Sequence, residues 1–334
     1  MYASRKEKLH WKKKADVVQV QNMVKPLVSI CVPTYNSARY LLPCLDSIVA
    51  QTYDNIEVIF SDNASKDDTV AILQDYVNLH GHALSLNAAN IGAGANFNKL
   101  VGLAKGEYIA IYHADDVYRD TIVEESVKVL QNNPSVGLVG TMGTVIDSDG
   151  KFQYDIQLHN EIKSLNKAVY TFDEALVGAI RNMFVTPTIM VRAKAYQELG
   201  DFDYKKYKSA CDYEMWLRIA RKYQVAVIDK KLINYRIHEG QGSEHEVRKN
   251  IEIPDILWVL KEYRQFVNDK KISKCCDNIV DNWIFKAAKK QNRLGYYSKS
   301  TETLQLLNLK KYWFPKYMYK ALNMMHLSPK KRKL

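Results

Sequence analysis

The first half of the chain alternates between short apolar runs and longer segments in which apolar residues recur every three or four positions. The apolar runs predict buried β-strands, and the longer segments predict amphipathic helices of about 10–15 residues. The predicted strands are 27–33, 55–62, 83–89 and 106–116, and the predicted helices are 40–51, 66–80, 92–106 and 121–133. This alternation is typical of an α/β protein with a doubly wound, mostly parallel sheet, which binds ligands beyond the carboxyl ends of its strands.

The regular alternation ends after Val136. Residues 137–156 predict two strands joined by an Asp-Gly turn, a dipeptide that favours tight hairpins. Further strands are predicted at 186–193, 225–229 and 233–238, an amphipathic helix is predicted at 209–223, and the pattern is helical from residue 243 onward. We therefore expect an N-terminal arm (1–26), an α/β domain that carries the site (27–242) and a helical C-terminal region (243–334).

The net charge of the 334-residue chain is +11, and it is concentrated at the two ends. Residues 1–14 carry +5 and residues 308–334 carry +8, which leaves −2 for the part between them. Proteins that act on nucleic acids carry positive charge on the working domain, so this distribution argues against a nucleic-acid partner. Basic ends can simply be solvated, and the sharper hypothesis is that they bind an anionic membrane surface.

Hydropathy and cysteine content limit the cellular context. No apolar run reaches the roughly 18 residues of a transmembrane helix, and the first residues lack the apolar stretch of a signal peptide. The five cysteines have no CxxC spacing, which indicates no zinc site and fits a reducing compartment. We therefore expect a cytoplasmic protein, with peripheral attachment to the inner face of the plasma membrane as a further hypothesis.

Polar residues stand where three of the predicted strands end. Thr34, Tyr35 and Asn36 follow the first strand, Asp62 ends the second, and Asp115 and Asp116 end the fourth. A Tyr ring can stack on a nucleobase, and a carboxylate pair can hold a divalent cation that bridges phosphates. Each residue taken alone could be an ordinary turn or cap residue. Their repetition at one edge of a parallel sheet favours a nucleotide site.

Five segments resemble the family 2 glycosyltransferases in the family's order: LVSICVPTYN, QTYDNIEVIFSDNASKDDT, NIGAGANFNKLVGLAKGEYIAIYHADD, ACDYEMWLRIA and YRIHEGQGS. The resemblance covers residues 27–242. It implies a GT-A fold and an inverting enzyme that moves a sugar from a nucleotide-diphosphate sugar, expected to be a UDP-sugar, to an acceptor hydroxyl. The acceptor that it implies is a glycan or a lipid-linked molecule of bacterial surface-polysaccharide synthesis.

The resemblance also implies roles for individual residues. Its nucleotide-binding set comprises Pro33, Thr34, Tyr35, Asn36, Asp62, Asn90, Gly92 and Asp115, with Asp62 as the nucleobase contact. Asp116 and His238 would hold Mn2+ or Mg2+, and Asp212 would be the catalytic base. Two positions depart from the pattern, because Phe97 stands where a basic residue is common and Cys211 stands where Glu is common.

The implied chemistry needs these residue types. A divalent cation neutralises charge on the leaving nucleotide diphosphate. An acceptor hydroxyl is a poor nucleophile, so a positioned carboxylate must take its proton. One direct displacement from the opposite face of the sugar then inverts the anomeric centre.

Two other motifs imitate ligand sites. Asp147-Ser148-Asp149-Gly150 contains a literal Asp-x-Asp, but it falls in the predicted hairpin turn and lacks the later Glu of a calcium loop. The Gly92-Ala93-Gly94 sequence begins like a dinucleotide fingerprint, but its third glycine is missing and it follows the third strand rather than the first. We expect neither motif to bind its usual ligand.

Two alternatives to a transferase remain open on the sequence. One is a non-catalytic nucleotide-sugar-binding protein, which the retention of Asp212 disfavours. The other is a membrane-surface interaction protein, because residues 310–334 interleave aromatic residues and methionines with lysines. In that segment Pro315 is expected to break any single helix and to leave 316–327 as the interfacial stretch. A helix packed on the domain that precedes it is the plainer interpretation.

Overall fold

The computed structural model describes residues 25–241, 252–308 and 310–328. Most of the predicted N-terminal arm, the predicted boundary at residues 242 and 243 and the terminal Lys330–Lys333 cluster lie outside the described residues. Within the described ranges, no helix combines the length and the hydrophobicity that crossing a membrane requires.

The strands of the described part form one mixed sheet. They are β1 (Val28–Thr34), β2 (Ile56–Asp62), β3 (Ala83–Leu86), β4 (Tyr108–Ile111), β5 (Val117–Tyr118), β6 (Val136–Ile146), β7 (Phe152–Ile156), β8 (Val169–Tyr170), β9 (Met190–Arg192) and β10 (Gln224–Arg236). Their order is β3-β2-β1-β4-β9-β6-β10-β5, with β7 paired to β6 and β8 paired to β10. Most paired residues lie in parallel ladders, which confirms the predicted α/β class.

Helices flank this sheet. Those of the first part are α1 (Ala38–Val49), α2 (Thr69–His80), α3 (Ala93–Leu103), α4 (Ile122–Asn132), α5 (Asn160–Lys163), α6 (Phe172–Ala179), α7 (Ala193–Leu199), α8 (Tyr204–Tyr207) and α9 (Cys211–Ala220). Those of the C-terminal part are α10 (Ile256–Tyr263), α11 (Lys270–Arg293), α12 (Tyr297–Gln305) and α13 (Trp313–Met324). In α1, the apolar residues Leu41, Cys44, Leu45 and Ile48 recur at helical spacing and are buried, as the periodicity predicted.

Strand direction determines where the site can form. Strands β1, β2 and β4 are parallel, and β9 runs antiparallel to both β4 and β6. Strand β6 therefore points the same way as β4, and β10 is parallel to β6. The carboxyl ends of β1, β2, β4, β6 and β10 all lie at one edge, which we call the ligand edge. Because β9 is reversed, the residues that precede it also lie at this edge.

Several element boundaries differ from the sequence prediction, and three of them are informative. Helix α3 ends at Leu103 rather than at residue 106. Gly106 packs against the backbone of β1, where its N–H donates to the Ser29 hydroxyl at 2.8 Å. Residues Thr186–Thr188 form a 3₁₀ turn, so the strand predicted from residue 186 is confined to β9. The strands predicted at 225–229 and 233–238 are one strand, β10, whose pairing with β6 shifts register around Lys231.

The C-terminal helices share a core with the sheet domain. Helix α10 packs on α9, where the buried Glu214 carboxylate accepts hydrogen bonds from the Tyr263 hydroxyl and from Arg218 at 2.5 Å. Helix α11 packs on α6, and Leu257 and Leu260 of α10 are buried in the same apolar cluster as the sheet. The predicted helical character of this region therefore agrees with the structure, and the region is held to the helix that carries Asp212.

The prediction that Pro315 breaks the last helix is wrong. Helix α13 begins at Trp313 and includes Pro315 in its first turn. The missing N–H of proline removes no intrahelical hydrogen bond at this place, because the first N–H groups of a helix have no partner within it. The helix packs on α11 and α12 rather than on the sheet domain.

We expect Glu214→Ala to lower the free energy of unfolding by about 3 kcal/mol, because it leaves the partly buried Arg218 guanidinium without its carboxylate. Denaturant unfolding measures this change. The matched control is Asp54→Ala, which breaks an exposed ion pair with Lys25 and should leave the free energy of unfolding almost unchanged. Equal small losses in the two variants would show that Glu214 does not hold the C-terminal helices to α9.

Candidate active site

Asp62 joins the loops that follow β1 and β2. Its side chain is buried, and its carboxylate accepts hydrogen bonds from the Thr34 hydroxyl at 3.1 Å and from the Ser65 backbone N–H at 2.9 Å. The Ser65 hydroxyl donates to the same carboxylate at 2.5 Å. Asp62 therefore holds together the two loops that form this part of the ligand edge. Its contact with a nucleobase stays a prediction.

Tyr35 lies at the rim of the ligand edge, with 46% of its surface exposed, while Pro33 and Thr34 belong to β1. The backbone turns sharply after it, because Asn36 has a φ of 48°. This turn is fixed from both sides: the Asn36 N–H donates to the Ser65 hydroxyl, and the Asn36 side-chain oxygen accepts from the Lys66 N–H, each at 2.8 Å. The loop thus presents an aromatic ring on a rigid support.

An amide network builds the loop between β3 and α3. The Asn63 side chain donates to the Asn90 side-chain oxygen at 2.9 Å and accepts from the Ile91 N–H at 2.9 Å. The Gly92 N–H donates to the same Asn90 oxygen at 2.9 Å. Gly92 has a φ of 85°, which favours glycine, and it immediately precedes α3. The position of Asn63 at the end of the second predicted strand could be read from the sequence, but its bond to Asn90, 27 residues further along the chain, could not.

A cluster of possible metal ligands follows β4. His113, Asp115 and Asp116 each offer an atom, and these atoms lie within 4.8 Å of one another. Asp116 is fully buried, and its Oδ1 accepts from the Arg236 N–H at 2.8 Å. Among the described residues, Asp116 Oδ2 and His113 Nε2 are buried and have no hydrogen-bond partner. A buried polar atom without a partner lowers the free energy of unfolding by about 1–3 kcal/mol. We therefore expect a ligand that contacts both Asp116 Oδ2 and His113 Nε2.

Electrostatics also favour a cation here. Burial, together with the charge of Asp115, raises the pKa of Asp116 well above its usual range. Burial also acts to raise the pKa of Asp115, but the hydrogen bond from His238 and the charge of His113 outweigh it and hold that pKa below its usual value. Burial lowers the pKa of His113, although the charges of Asp115 and Asp212 oppose this, and a neutral imidazole can donate a lone pair to a cation. The donor set of carboxylate oxygens and one imidazole suits Mn2+ or Mg2+.

His238 follows β10 and reaches the same place. Its Nε2 lies 3.0 Å from Asp115 Oδ2, and its ring lies against Tyr40 with 4.6 Å between the ring centroids. His238 thus adjoins the acidic pair and is bonded to Asp115, whereas His113 belongs to the tighter ligand group. The sequence contains a signal for His113, because it is a polar residue that ends a buried apolar run beside the two carboxylates.

Asp212 lies in the first turn of α9 and meets the 3₁₀ turn that precedes β9. Its Oδ2 accepts from the Thr186 hydroxyl at 2.8 Å, and its Oδ1 accepts from the Tyr213 N–H at 2.7 Å. Burial raises the pKa of Asp212, although these two hydrogen bonds and the charge of the nearby His113 oppose the rise. A carboxylate with a raised pKa at the ligand edge has the properties of a general base.

The Asp147–Asp149 motif forms a turn, as predicted. The Asp147 carboxylate accepts from the Asp149 and Lys151 N–H groups, each at 2.9 Å, and Asp149 pairs with Arg39 at 3.7 Å. This turn borders a cavity of about 490 Å³ that Tyr40 and His238 also line. It therefore lies at the rim of the ligand edge, and the ligand group among the described residues does not include it.

The departures from the family pattern have structural consequences. Phe97 stacks beside His113, with 6.2 Å between the ring centroids, so an apolar ring lines this side of the cluster. The neighbouring Asn98 exchanges two hydrogen bonds with the Phe202 backbone, at 2.8 and 3.0 Å, and holds the loop before α8. Cys211 is buried and packs in the core, beside the partly buried Asp212.

A mixed sheet of this order, with an acidic cluster after β4 and a helix-borne Asp at the same edge, defines a GT-A-like domain. The chain matches the family model described as Glycosyl transferase family 2 over residues 29–200. It is also 33% identical over 235 residues to an uncharacterized glycosyltransferase of Methanocaldococcus jannaschii, an alignment that covers 69% of this chain and 77% of that protein. The chain therefore belongs to glycosyl transferase family 2 and is a nucleotide-sugar glycosyltransferase.

Solved structures share the fold at low sequence identity. TarS 1–349 of S. aureus, in complex with UDP-GlcNAc, has a TM-score of 0.62 at 16% identity, covering 90% of this chain and 89% of that one. The mannosyltransferase PcManGT of Pyrobaculum calidifontis, in complex with GDP-Man and Mn2+, has a TM-score of 0.58 at 16% identity, covering 91% and 86%. At these identities the likeness establishes the GT-A-like fold.

We expect Asp116→Asn to weaken the Mn2+-dependent binding of nucleoside diphosphates by at least roughly tenfold, because it replaces a carboxylate ligand in a buried position. Calorimetric titration of UDP and GDP, with and without Mn2+, measures the effect. Asp149→Asn is the control, because it changes an exposed acidic residue of the neighbouring turn and should leave Mn2+ dependence intact. If only the Asp149 variant lost Mn2+ dependence, the metal would bind at the Asp147–Asp149 turn, and its assignment to Asp116 would be wrong.

Proposed function

We propose that this protein is a metal-dependent, inverting glycosyltransferase that moves a sugar from a UDP-sugar to a hydroxyl group of a glycan or lipid-linked acceptor. One observation carries the proposal: the Asp212 carboxylate, held by the Thr186 hydroxyl at 2.8 Å, lies at the same ligand edge as the cluster of His113, Asp115 and Asp116. A proton acceptor beside a cation site is the pairing that sugar transfer from a nucleotide diphosphate requires.

The donor site is assigned to the ligand edge. Tyr35 offers an exposed ring for stacking on the base, and Thr34 and Asp62 support the wall behind it. The loop that contains Asn90 and Gly92 leads into α3, whose 11 residues give its N-terminus a partial positive charge that favours phosphate. The choice of a UDP-sugar is supported by the binding of UDP-GlcNAc to TarS, which has the same fold.

The metal is assigned to the residues after β4. Asp116 and His113 would hold it through their unpartnered buried atoms, with Asp115 and the adjoining His238 completing the polar surroundings. When bound, a divalent cation supplies positive charge that stabilises the departing nucleotide diphosphate. PcManGT, which shares the fold, was solved with Mn2+, which supports Mn2+ or Mg2+ for this site.

Asp212 is assigned the role of general base. It would take the proton of the acceptor hydroxyl at a carboxylate oxygen while the hydroxyl oxygen attacks the anomeric carbon and the bond to the nucleotide diphosphate breaks. Attack from the face opposite to the leaving group inverts the anomeric centre. Thr186 is a positioning residue, because its hydroxyl holds Asp212 Oδ2 at 2.8 Å and stabilises the charged form of the carboxylate.

The acceptor and the cellular setting are proposed from the family and from the basic ends of the chain. Acceptors of cell-surface polysaccharide synthesis, whether glycans or lipid-linked molecules, fit a family 2 enzyme with basic ends. We also propose a basic arm, a catalytic domain (27–242), a helical region (243–334) and a cytoplasmic location.

The alternative function is that of a protein that only binds nucleotide sugars. Such a protein would not need a carboxylate held by Thr186 at this edge, and turnover separates the two functions.

We expect Asp212→Asn to reduce sugar transfer, or donor hydrolysis in the absence of an acceptor, by about 10²–10⁴-fold, since it removes the general base. Donor binding should change by only a few-fold, roughly the effect of one exchanged hydrogen-bonding group. Released nucleoside diphosphate measures turnover, and NMR of the first sugar released from the wild type should show the inverted anomer. Near-normal turnover in the variant, or retention of configuration, would contradict the assignment.

We expect Thr186→Val to move the acidic limb of the pH–rate profile to higher pH. The base works when it is deprotonated, so activity falls as the pH drops through its pKa. The Thr186 hydroxyl donates to Asp212 and lowers this pKa, and removing the hydroxyl must therefore raise it. Thr186→Ser retains the donor and should restore the wild-type limb. A shift to lower pH, or no shift, would show that Thr186 does not act through Asp212.

A further inference from the structure

The outward face of α13 is apolar. Residues one turn apart on this helix form two adjacent rows, because successive residues are rotated by about 100°. The outward rows hold Trp313, Phe314, Tyr317, Met318, Ala321 and Met324, and all of them are exposed. Phe314 and Met324 are the extremes, at 80% and 83% exposed. Contiguous apolar surface of this kind marks an interaction site rather than an ordinary solvated helix face.

The inward face of the same helix carries a buried polar residue near its C-terminal end. Asn323 is buried, and its side chain accepts from Asn292 at 2.7 Å and donates to the hydroxyls of Ser300 at 3.0 Å and Thr301 at 2.9 Å. These partners belong to α11 and α12. Such a network is satisfied in one rotational setting of the helix only, because a rotated Asn323 would lose three hydrogen bonds. The apolar rows are therefore held outward by the structure itself.

The composition of the face and its charge identify the partner. Trp and Tyr favour the boundary between lipid headgroups and acyl chains, and Phe and Met favour the acyl side of it. Residues 308–334 carry eight Lys or Arg residues and no acidic residue. Lys316 and Lys320 lie on α13 beside the apolar rows, between its outward and inward faces. A second copy of the chain would bring two such basic segments together, and their repulsion disfavours self-association.

We propose that α13 lies in the surface of an anionic lipid bilayer, with Trp313, Phe314, Tyr317, Met318 and Met324 inserted at headgroup level and Lys316 and Lys320 of the same helix against acidic lipids. Apolar insertion supplies affinity, and charge supplies the preference for anionic membranes. The surface belongs to helices that pack on the C-terminal side of the molecule, so it is independent of the catalytic assignment. Its failure would leave the proposed glycosyl transfer untouched, and the reverse also holds.

The test is co-sedimentation of the full-length protein with phosphatidylcholine vesicles, with and without phosphatidylglycerol. Phe314→Ser is compared with Leu79→Ser, because Leu79 on α2 is 79% exposed and matches Phe314 in exposure and in loss of an apolar side chain. We expect binding to vesicles that contain phosphatidylglycerol, weakened by salt because the charge contribution is screened. Phe314→Ser should lower the partition coefficient by roughly tenfold, and Leu79→Ser should leave it unchanged. Donor hydrolysis and melting temperature should match the wild type in both variants.

Three results would overturn the proposal. The first is failure of the wild-type protein to sediment with vesicles that contain phosphatidylglycerol at low salt. The second is equal binding by the Phe314 and Leu79 variants, which would leave charge alone as the cause. The third is a dimer in sedimentation velocity, without lipid, that Phe314→Ser converts to a monomer, which would make a second copy the occupant of the apolar face.

Discussion

The direction of the strands is the constraint on which the site depends. Strands β1, β2, β4, β6 and β10 all point to the ligand edge, and the reversed strand β9 lies between β4 and β6. Residues that are far apart in the chain therefore meet there: Asp62, Asp116 and His238 each follow a different strand. The same reversal brings Thr186, which precedes β9, to Asp212 at the start of α9. Strand direction thus brings together the residues proposed as donor wall, cation ligands and base.

This assembly buries ionisable groups, which lowers the free energy of unfolding. Asp116 Oδ2 and His113 Nε2 are buried without a partner among the described residues, and burial raises the pKa of both Asp116 and Asp212. Other residues of the same helix, α9, stabilise the fold. Two residues beyond Asp212, Glu214 is bound by Arg218 and Tyr263, which attaches α9 to α10. The C-terminal helices therefore support the helix that carries Asp212, while their own outermost helix, α13, presents an apolar surface.

Sequence patterns predicted the parts of the structure that depend on local periodicity. The parallel strands, their helices and the polar strand ends agree with the structure because each is encoded within a few residues. The contacts between Thr186 and Asp212 and between Asn63 and Asn90 could not be predicted, since they join residues 26 and 27 positions apart. Pro315 was misjudged for a different reason: its effect depends on whether it falls in the first turn of a helix, and apolar periodicity does not place that turn to within a residue.

The most direct test of the central claim is a crystal structure of the protein with UDP and Mn2+, recorded with anomalous scattering from the metal. The account predicts an anomalous peak at a bonding distance of about 2.2 Å from Asp116, with His113 or Asp115 beside it and the nucleotide diphosphate in contact with the metal. A peak at the Asp147–Asp149 turn, or a nucleotide bound away from the carboxyl ends of β1, β2 and β4, would contradict it.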